Sequence, residues 1–209
     1  MKLVLQQFVS LDGVSQGPGA PDEDTSGGFT RGGWFVPFLD DALMAHVTSW
    51  IAAADAFLFG AHTYRNFARD WPTMANPSDP VATALNGLPK YVVSSTIETA
   101  AWTPSTVIRG SVLTEVARLK ALPGRELQIH GSARLAGSLV AAGLVDEMRL
   151  MVAPVVVGQG RRLFPSILDE PRAFRLASAA STPAGLSIQT YENTGPARFG
   201  AYEPSRLQG

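Results

Sequence analysis

The sequence predicts an α/β fold in which a mostly parallel sheet is covered by helices on both faces. Short apolar runs typical of buried strands alternate along the chain with segments in which apolar residues recur at helical spacing. Near the C-terminus two strand-like segments, 174–181 and 186–191, are joined by a Thr-Pro-Ala-Gly turn, which is typical of an antiparallel hairpin. We expect this hairpin at one edge of the sheet.

Composition and charge narrow the class of protein. The chain has 209 residues, of which 45% are apolar and 17% charged, as in an ordinary globular enzyme. A formal charge of −1 argues against a nucleic-acid or membrane-surface partner, because both require a basic stripe. No apolar stretch approaches the ~18 residues of a transmembrane helix, and no signal peptide is visible, so we expect a cytoplasmic protein. Since no linker composition interrupts the chain, we predict one domain over 1–193 and a tail over 194–209.

Residue types that bind metals are sparse. The chain has no cysteine, which excludes disulfides and thiolate sites. Its three histidines, His46, His62 and His130, lie far apart in sequence and lack the spacing of metal ligands. We therefore expect no metal site.

The first predicted strand, residues 3–9, leads into a long glycine-rich loop. The segment from Gly13 to Gly33 holds seven of the twenty glycines of the chain. So long a loop inside a compact domain is usually a functional lid, and a tolerated surface insertion is the alternative.

Aromatic and acidic side chains follow the loop, where a helix is predicted. Trp34 and Phe35 are candidates for lining a flat aromatic substrate, because the preceding loop is expected over the cleft. Asp40 and Asp41 fall in the first turn of the helix, where carboxylates complement the helix dipole. The residues that recur at the spacing of one buried helix face are Leu39, Leu43, Val47, Ile51 and Ala54.

Two turns from a strand through glycine into a helix have the form of an anion-binding site. One strand ends at Gly60 and another at Gly131, and a helical pattern begins after each. The first N–H groups of a helix have no internal partner and carry partial positive charge, so they suit phosphates. Thr63 is placed to cap one helix, and Ser132 can cap the other or offer its hydroxyl to a phosphate. Two such turns match the pyrophosphate of a dinucleotide.

Further strands and helices complete the pattern. The strand 91–93 ends in the hydroxyl-bearing turn Ser94-Ser95-Thr96, and 105–109 is predicted as a short strand. A helix is expected from Ser111 to a stop at Pro123-Gly124. Another strand is predicted at 148–153.

Four segments together carry a family signature. They are 59–64 (Phe-Gly-Ala-His-Thr-Tyr), 90–96 (Lys-Tyr-Val-Val-Ser-Ser-Thr), 127–135 (Leu-Gln-Ile-His-Gly-Ser-Ala-Arg-Leu) and 144–164, which ends in Gly-Gln-Gly-Arg-Arg-Leu-Phe. In this order and spacing they resemble the dihydrofolate reductase-like superfamily, and within it the branch of the C-terminal reductase domain of riboflavin biosynthesis. The resemblance extends from Leu3 to about Glu192 and implies a three-layer α/β/α arrangement.

The resemblance implies a nicotinamide dinucleotide lying across the carboxyl ends of the strands. The ordinary GxGxxG fingerprint is missing, and three separate turns would hold the cofactor instead. The implied residues are Gly60, Ala61, His62 and Thr63 at one phosphate, His130, Gly131, Ser132, Ala133, Arg134 and Leu135 at the other, and Ser94, Ser95 and Thr96 at the adenosine ribose.

The turn at residues 94–96 favours NADPH over NADH. A 2′-phosphate requires hydroxyls and a cation, whereas an NAD site usually presents a carboxylate. The turn offers three hydroxyls and no acid. The superfamily often has a basic residue where this chain has Ala61, so His62 or Arg65 would supply the charge.

The implied activity is direct hydride transfer to a small heteroaromatic substrate, such as a pterin or a pyrimidine, without metal or flavin. Asp12 is the first candidate for the proton donor, because the segment 10–13 resembles the one where riboflavin-pathway reductases place an acid. Its alternative role is a simple turn with Gly13. Asp40 and Asp41 come next, because folate reductases carry their substrate-binding carboxylate at the start of the corresponding helix. Helix capping is the alternative for both.

The segment 158–164 completes the predicted substrate side. Gly158 and Gly160 allow the backbone to approach a ligand closely, and Arg161 or Arg162, near Phe164, can meet a substrate phosphate. A solvated loop is the alternative. In the family this segment lies near the substrate and the dimer interface, so a homodimer is expected. A non-catalytic nucleotide-binding or interaction protein on the same scaffold is the alternative to the reductase.

Overall fold

A computed structural model describes residues 1–164 and 170–201, and one eight-stranded sheet forms its centre. The strands are β1 (Lys2–Ser10), β2 (Ala54–Gly60), β3 (Lys90–Val93), β4 (Ser105–Ile108), β5 (Glu126–His130), β6 (Glu147–Ala153), β7 (Arg172–Ser181) and β8 (Ser187–Pro196). The helices are α1 (Asp41–Ile51), α2 (Ala61–Asp70), α3 (Pro80–Gly87), α4 (Val112–Lys120) and α5 (Ala133–Ala141).

The strand order in the sheet is β4-β3-β2-β5-β1-β6-β8-β7. The first six strands of this order are parallel. Strand β8 joins antiparallel to β6, and β7 joins antiparallel to β8. The predicted mostly parallel sheet with a C-terminal hairpin is confirmed. Because β1 to β6 run in one direction, the turns that follow them all open at the same edge, which we call the carboxyl edge.

Helices cover both faces of the sheet. On one face, α4 and α5 pack against a core that includes Leu5, Leu127 and Ile129. On the opposite face, called here the α1 face, α1, α2 and α3 pack around the rings of Phe57 and Phe59. The three-layer arrangement implied by the family resemblance is therefore confirmed.

Helix α1 is shorter than the predicted apolar pattern. The carboxylate of Asp40 accepts a hydrogen bond from the N–H of Leu43 (2.8 Å), so the helix begins only at Asp41. Leu39 lies before this cap and is 50% exposed, while Ala54 already belongs to β2. The prediction was wrong for both residues because helical spacing continued by chance into the flanking segments.

A buried ion network occupies the α1 face at the amino ends of the strands. Arg149 of β6 donates to both carboxylate oxygens of Glu126 (2.6 and 3.1 Å) and to Glu147 (2.7 Å). The guanidinium carbon lies 5.4 Å from the centre of the Trp50 ring, and Lys2 donates to Glu147 (2.7 Å). Each charge is thus paired, as burial requires.

The C-terminal hairpin is longer than predicted. Strand β8 continues to Pro196, which pairs with Arg172, so the sheet extends beyond residue 193. The end of the predicted tail, residues 202–209, lies outside the described residues. Within residues 1–164 and 170–201, no helix has the length and apolar character to cross a membrane, and no three metal-ligating side chains are gathered.

Candidate active site

Two helix N-termini meet at the carboxyl edge. Strands β2 and β5 are neighbours, and α2 and α5 begin directly after them. The hydroxyl of Ser132 accepts a hydrogen bond from the N–H of Gly60 (2.8 Å) and donates to the hydroxyl of Thr63 (2.9 Å). The N–H of Ser132 donates to the same Thr63 oxygen (3.1 Å). The two glycine turns predicted to bind phosphate are therefore hydrogen-bonded to each other.

The prediction that Ser132 and Thr63 cap these helices is wrong. Ser132 occupies the position before α5 with a left-handed backbone (φ 59°, ψ 47°), and its side chain makes no capping bond. Thr63 lies inside the first turn of α2, whose cap position is Gly60. Their hydroxyls bond across the gap between the turns instead. The first N–H groups of both helices have no partner within the helix, and they lie at the carboxyl edge of the sheet. They belong to Ala61 and His62 of α2 and to Ala133, Arg134 and Leu135 of α5.

A groove of about 410 Å³ opens beside these turns, at the carboxyl ends of β3 and β4. The hydroxyl of Ser94 accepts hydrogen bonds from the N–H groups of Thr96 (3.1 Å) and Ile97 (2.9 Å), which fixes the hydroxyl turn in the groove wall. Ala61 lines the same groove on the α2 side. The groove thus connects the predicted phosphate site with the predicted ribose site. Its lining residues are Ala61, Val93, Ser94, Ser95, Thr96, Ile108, Arg109, Gly110 and Val112.

Two arginines flank the hydroxyl turn. Arg65 donates to the hydroxyl of Thr96 (2.9 Å). Arg109 lines the groove and donates to the carbonyls of Ile97 and Glu98, both at 3.0 Å. None of the groove-lining residues is acidic. The groove therefore combines hydroxyls with positive charge.

Sequence reasoning proposed His62 or Arg65 as the cation and missed Arg109. His62 is turned towards the glycine-rich loop, where its Nε2 lies 3.5 Å from the carboxylate of Asp24. Arg109 was interpreted only as the end of a strand. Its position beside the turn at 94–96 depends on the pairing of β4 with β3, which the sequence alone does not show.

Asp12 binds the backbone that follows β6. Its carboxylate accepts hydrogen bonds from the Ser10 hydroxyl (2.6 Å), the Val157 N–H (3.0 Å) and the Gly158 N–H (2.8 Å). The Ser10 hydroxyl lowers the pKa of Asp12 most, burial opposes it, and the two N–H groups add to it, so that the pKa falls to about 2. Such a carboxyl carries no proton at neutral pH. Both carboxylate oxygens of Asp12 are therefore occupied by hydrogen-bond donors of the protein itself, and its catalytic role stays a prediction.

Hydrogen bonds of the Gln16 side chain hold the glycine-rich loop 13–33 together. The buried Gln16 amide donates to the carbonyls of Asp24 (3.1 Å) and Ser26 (2.9 Å). Its side-chain oxygen accepts from the N–H of Arg161 (2.9 Å). One amide thus joins two parts of the loop to the segment after β6.

The same loop is also attached to α2. The buried carboxylate of Asp24 pairs with the guanidinium of Arg161 on one side and approaches His62 on the other. The side chain of Asn66 donates to the carbonyl of Glu23 (3.1 Å). The loop therefore spans the carboxyl edge from the segment after β6 to α2, which favours a lid over a tolerated insertion.

Trp34 and Phe35 are buried beneath the loop. The Trp34 indole donates to the carbonyl of Gln16 (2.8 Å), and the ring is 9% exposed. Phe35 is 2% exposed and its ring centre lies 4.2 Å from that of Phe8. Because their aromatic surfaces are covered by the core, the structure does not place them as the lining of a substrate site.

Asp40 connects α1 to the β7–β8 turn. One carboxylate oxygen accepts from Leu43 and caps α1, and the other accepts from the N–H of Ala184 (2.9 Å). Asp41 is exposed in the first turn of α1. For Asp40 the capping alternative describes the observed contacts, and both of its oxygens are occupied by backbone.

In this structure the segment 158–164 contacts the glycine-rich loop 13–33. Gly160 has φ 108°, and a β-carbon there would lie 2.7 Å from the ring of Phe29, so the glycine allows the loop to pack closely. Gly158 also has a positive φ and is held by the Asp12 carboxylate. The guanidinium of Arg161 is engaged by the loop carboxylate rather than turned towards a phosphate.

The remaining predicted residues differ in their surroundings. Arg134 is exposed in the first turn of α5, whereas the Leu135 side chain is in the core. His130 places its ring on the α1 face, where its Nε2 lies 3.1 Å from the Gln128 side-chain oxygen. Phe164 is 39% exposed. His130 is therefore separate from the phosphate turns that it precedes.

Sequence comparison matches the chain through strand β7 to one family. The sequence model of the RibD C-terminal domain matches residues 1–188. The uncharacterized protein YyaP of Bacillus subtilis (strain 168) is 27% identical over 165 residues, which cover 78% of this chain and 80% of YyaP.

Solved structures share the fold. A putative riboflavin biosynthesis protein from Shewanella sp. PV-4 superposes with a TM-score of 0.64 at 20% identity, covering 93% of this chain and 99% of that one. Dihydrofolate reductase from Enterococcus faecalis, in complex with NADP(H), superposes with a TM-score of 0.58 at 11% identity, covering 92% and 96%. At these identities the likeness establishes the fold alone.

Proposed function

The chain belongs to the RibD C-terminal domain family, and on that premise we propose that it is an NADPH-dependent reductase of a small heteroaromatic substrate, pterin-like or pyrimidine-like. The main support is the pair of helix N-termini joined through Ser132 beside a groove that ends at hydroxyls and arginines. NADPH carries negative charge at two matching places, the pyrophosphate and the 2′-phosphate.

The side chains present fit this cofactor. The first-turn N–H groups of α2 and α5 would hold the pyrophosphate, because the two turns lie side by side. Arg65, Arg109 and the hydroxyls of Ser95 and Thr96 would hold the 2′-phosphate. An NADH site would instead be expected to present a carboxylate to the ribose, and the groove lining has none.

Bound NADPH would supply the hydride, and the chain would orient the reactants and exclude water. Gln16 and Asp24 hold the loop 13–33 across the carboxyl edge. Asp12 fixes the segment at Val157 and Gly158 through its two carboxylate oxygens. Because Asp12 is ionised, the product would take its proton from water rather than from this residue.

A non-catalytic nucleotide-binding protein is the second candidate. The observation that favours it is that both carboxylate oxygens of Asp12, the acid first expected to act as proton donor, are engaged by Ser10 and by the N–H groups of Val157 and Gly158. Both candidates bind NADPH through the same turns. They differ only in whether a bound substrate is reduced.

The experiment that tests the proposal has two stages. Calorimetric titration with NADPH and with NADH is expected to show tighter binding of NADPH, and absence of heat with both nucleotides would overturn the proposal. Loss of absorbance at 340 nm is then followed with a panel of dihydrofolate, pterins and aminopyrimidine-diones. NADPH binding without oxidation across the panel would favour the non-catalytic candidate.

We also propose that the chain forms a homodimer, as the family resemblance implies. Strand β7 forms one edge of the sheet, opposite the edge formed by β4, and its residues 175–181 are exposed. An exposed strand of this kind readily joins a second chain. Light scattering coupled to gel filtration is expected to give twice the mass of the chain, and a monomer across the micromolar range would exclude the dimer.

A further inference from the structure

The glycine-rich loop is held on the β6 side of the carboxyl edge by backbone bonds and by apolar packing. The N–H of Ser15 donates to the carbonyl of Arg161 (2.9 Å), and the Gln16 side-chain oxygen accepts from the N–H of the same arginine (2.9 Å). The ring of Phe29, which is 2% exposed, lies against Gly160. Because apolar burial and hydrogen bonds act together here, this side is the fixed attachment of the loop.

The attachment of the loop to α2 is weaker. Among the described residues its polar contacts are two, one between His62 and Asp24 (3.5 Å) and one from Asn66 to the carbonyl of Glu23 (3.1 Å). The His62 side chain is 57% exposed. Because segments held by few and exposed contacts open first, we expect the loop to separate from α2 while it stays bound on the β6 side.

The Nε2 atom of His62 faces an acceptor on one side and a donor on the other. It lies 3.5 Å from a carboxylate oxygen of Asp24 and 3.4 Å from Nδ2 of Asn66. The Asn66 amide is oriented by its bond to the Glu23 carbonyl, so its nitrogen and not its oxygen faces the ring. A protonated Nε2 donates to Asp24, whereas an unprotonated Nε2 accepts from Asn66. The proton on His62 therefore decides whether the ring binds the loop or its own helix.

Negative charge on the loop favours the protonated ring. Burial raises the pKa of Asp24, but hydrogen bonds from Ser26 and the charges of His62 and Arg161 lower it below its ordinary value, so this buried carboxyl is ionised at neutral pH. Burial raises the pKa of Glu23, which is the second titratable group at the contact. The charged groups around His62 are Asp22, Glu23 and Asp24 of the loop, Arg161 after β6, and Arg69 of α2.

We propose that His62 and Asp24 form a proton-operated latch between α2 and the weakly held side of the glycine-rich loop. With His62 protonated the latch is closed, and with His62 neutral the loop separates from α2 and stays attached at Arg161. Histidine suits this role because it is the side chain whose charge ordinarily changes between about pH 5 and 8. The latch lies in the first turn of α2, where the proposed function puts the pyrophosphate, so on that function its opening gives the nucleotide access to the turn.

Hydrogen–deuterium exchange of the protein without nucleotide tests the latch. Peptides covering residues 19–28 are followed at about pH 5.5 and pH 8, and each exchange rate is divided by the intrinsic rate at that pH. We expect the loop to be about threefold better protected at the lower pH, which is the effect of a partly exposed ion pair. Peptides covering residues 158–162 are expected to keep the same protection at both pH values, because this side of the loop stays attached.

Two variants of His62 fix the charge of the latch. His62→Gln carries no charge and is expected to show the lower protection at both pH values, whereas His62→Arg is always charged and is expected to show the higher protection at both. Because the side chain is exposed, both variants are expected to unfold near the temperature of the unchanged protein. His46→Gln on α1, whose ring centre lies 5.6 Å from that of Trp50, is the matched control and is expected to keep the pH dependence.

Three results would overturn the inference. They are equal protection of the loop at both pH values in the unchanged protein, a pH dependence that persists in His62→Gln and so belongs to Glu23, and equal protection of the two His62 variants at pH 8. None of these affects the proposed cofactor, since each is measured without nucleotide. Failure of the protein to bind NADPH would instead overturn the proposed function and leave the latch unchanged.

Discussion

The hydroxyl oxygens of Thr63 and Ser132 lie 2.9 Å apart and join the first turn of α2 to the start of α5. Ser132 accepts at the same time from the N–H of Gly60, so a single side chain sets the spacing of two helix N-termini. Phosphate binding by such termini depends on the direction of their N–H groups. This bond is therefore the first target for mutation.

Replacing Ser132 by alanine is expected to weaken NADPH binding about tenfold, because the Gly60 N–H loses its acceptor and the two turns can separate. Thr63→Val, which keeps the shape of the side chain, is expected to act in the same direction. Calorimetric titration measures both. Ser138→Ala, whose hydroxyl bonds only to carbonyls of its own helix, is the control. Equal NADPH affinity in Ser132→Ala and Ser138→Ala would contradict this role.

The arginines of the groove are expected to decide between the two nicotinamide nucleotides. Arg65→Ala and Arg109→Ala should each raise the Kd for NADPH about tenfold and change the Kd for NADH by less than about twofold, because only NADPH carries the 2′-phosphate. Arg118→Ala on α4, whose side chain pairs with Glu115 at the surface, is the control. If the variants lost affinity for NADPH and NADH equally, the arginines would contact a part common to both nucleotides and not the 2′-phosphate.

The low pKa of Asp12 predicts a specific loss of stability in acid. A carboxyl whose folded pKa lies below its ordinary value of 3.8 stabilises the fold fully above that pH. The contribution is lost as the pH falls from 3.8 towards about 2. Thermal unfolding between pH 2 and 5 is expected to show a smaller loss in Asp12→Asn than in the unchanged protein and in the control Asp41→Asn. Some acid loss remains in all three, because other carboxyls, such as Asp55 and Asp70, also have a lowered pKa.

The same residue predicts the shape of the pH–rate profile. If Asp12 positions the segment at 157–158, Asp12→Asn lowers the rate but leaves the dependence on pH between 5 and 9 unchanged, since the carboxyl is ionised throughout this range. If Asp12 donated the proton, the variant would lose a descending limb of the profile. Initial rates across this range, with any substrate found in the panel, separate the two roles.

Arg149 is expected to dominate the stability of the α1 face. Arg149→Met leaves the buried Glu126 without a charged partner and Glu147 with Lys2 alone. Removing one side of a buried ion pair costs about 3–5 kcal/mol. Arg175→Met, which breaks an exposed pair with Glu192, is expected to cost less than about 1 kcal/mol. Urea unfolding compares the two. Similar losses would mean that burial of the ion network contributes little.

Gly160 is expected to control the packing of the loop. A β-carbon there would meet the Phe29 ring at 2.7 Å, so Gly160→Ala should lower the free energy of unfolding by about 1–3 kcal/mol. Gly27 also has a positive φ, but a β-carbon there would have no atom within 4 Å. Gly27→Ala therefore measures only the free-energy cost of a side chain in this backbone conformation. Chemical denaturation of both variants provides the comparison, and equal losses would remove the contact with Phe29 as the cause.

The order of strands and helices was predictable because each element carries its own periodicity. The turns at Gly60 and Gly131 were identified from glycine at the end of an apolar run, and the structure brings them together. The hairpin followed from two strand patterns around Thr182–Gly185. These are local features, so a single sequence contains them.

Other parts of the site depend on contacts between distant residues. Trp34 and Phe35 follow a long loop, which favoured an exposed position, but the loop folds over them and buries both rings. Asp12 lies next to Val157 only because β1 pairs with β6.

Ser132 is the one residue other than glycine with a positive φ in the part of the chain that the structure describes. A side chain in this conformation costs about 1–2 kcal/mol, which glycine avoids. A glycine at this position would therefore relax the backbone and remove the tie between the two turns in the same step. Replacing Ser132 by glycine should therefore raise the unfolding temperature and lower the affinity for the nucleotide. A selection for thermal tolerance alone would favour this substitution and so weaken the cofactor site.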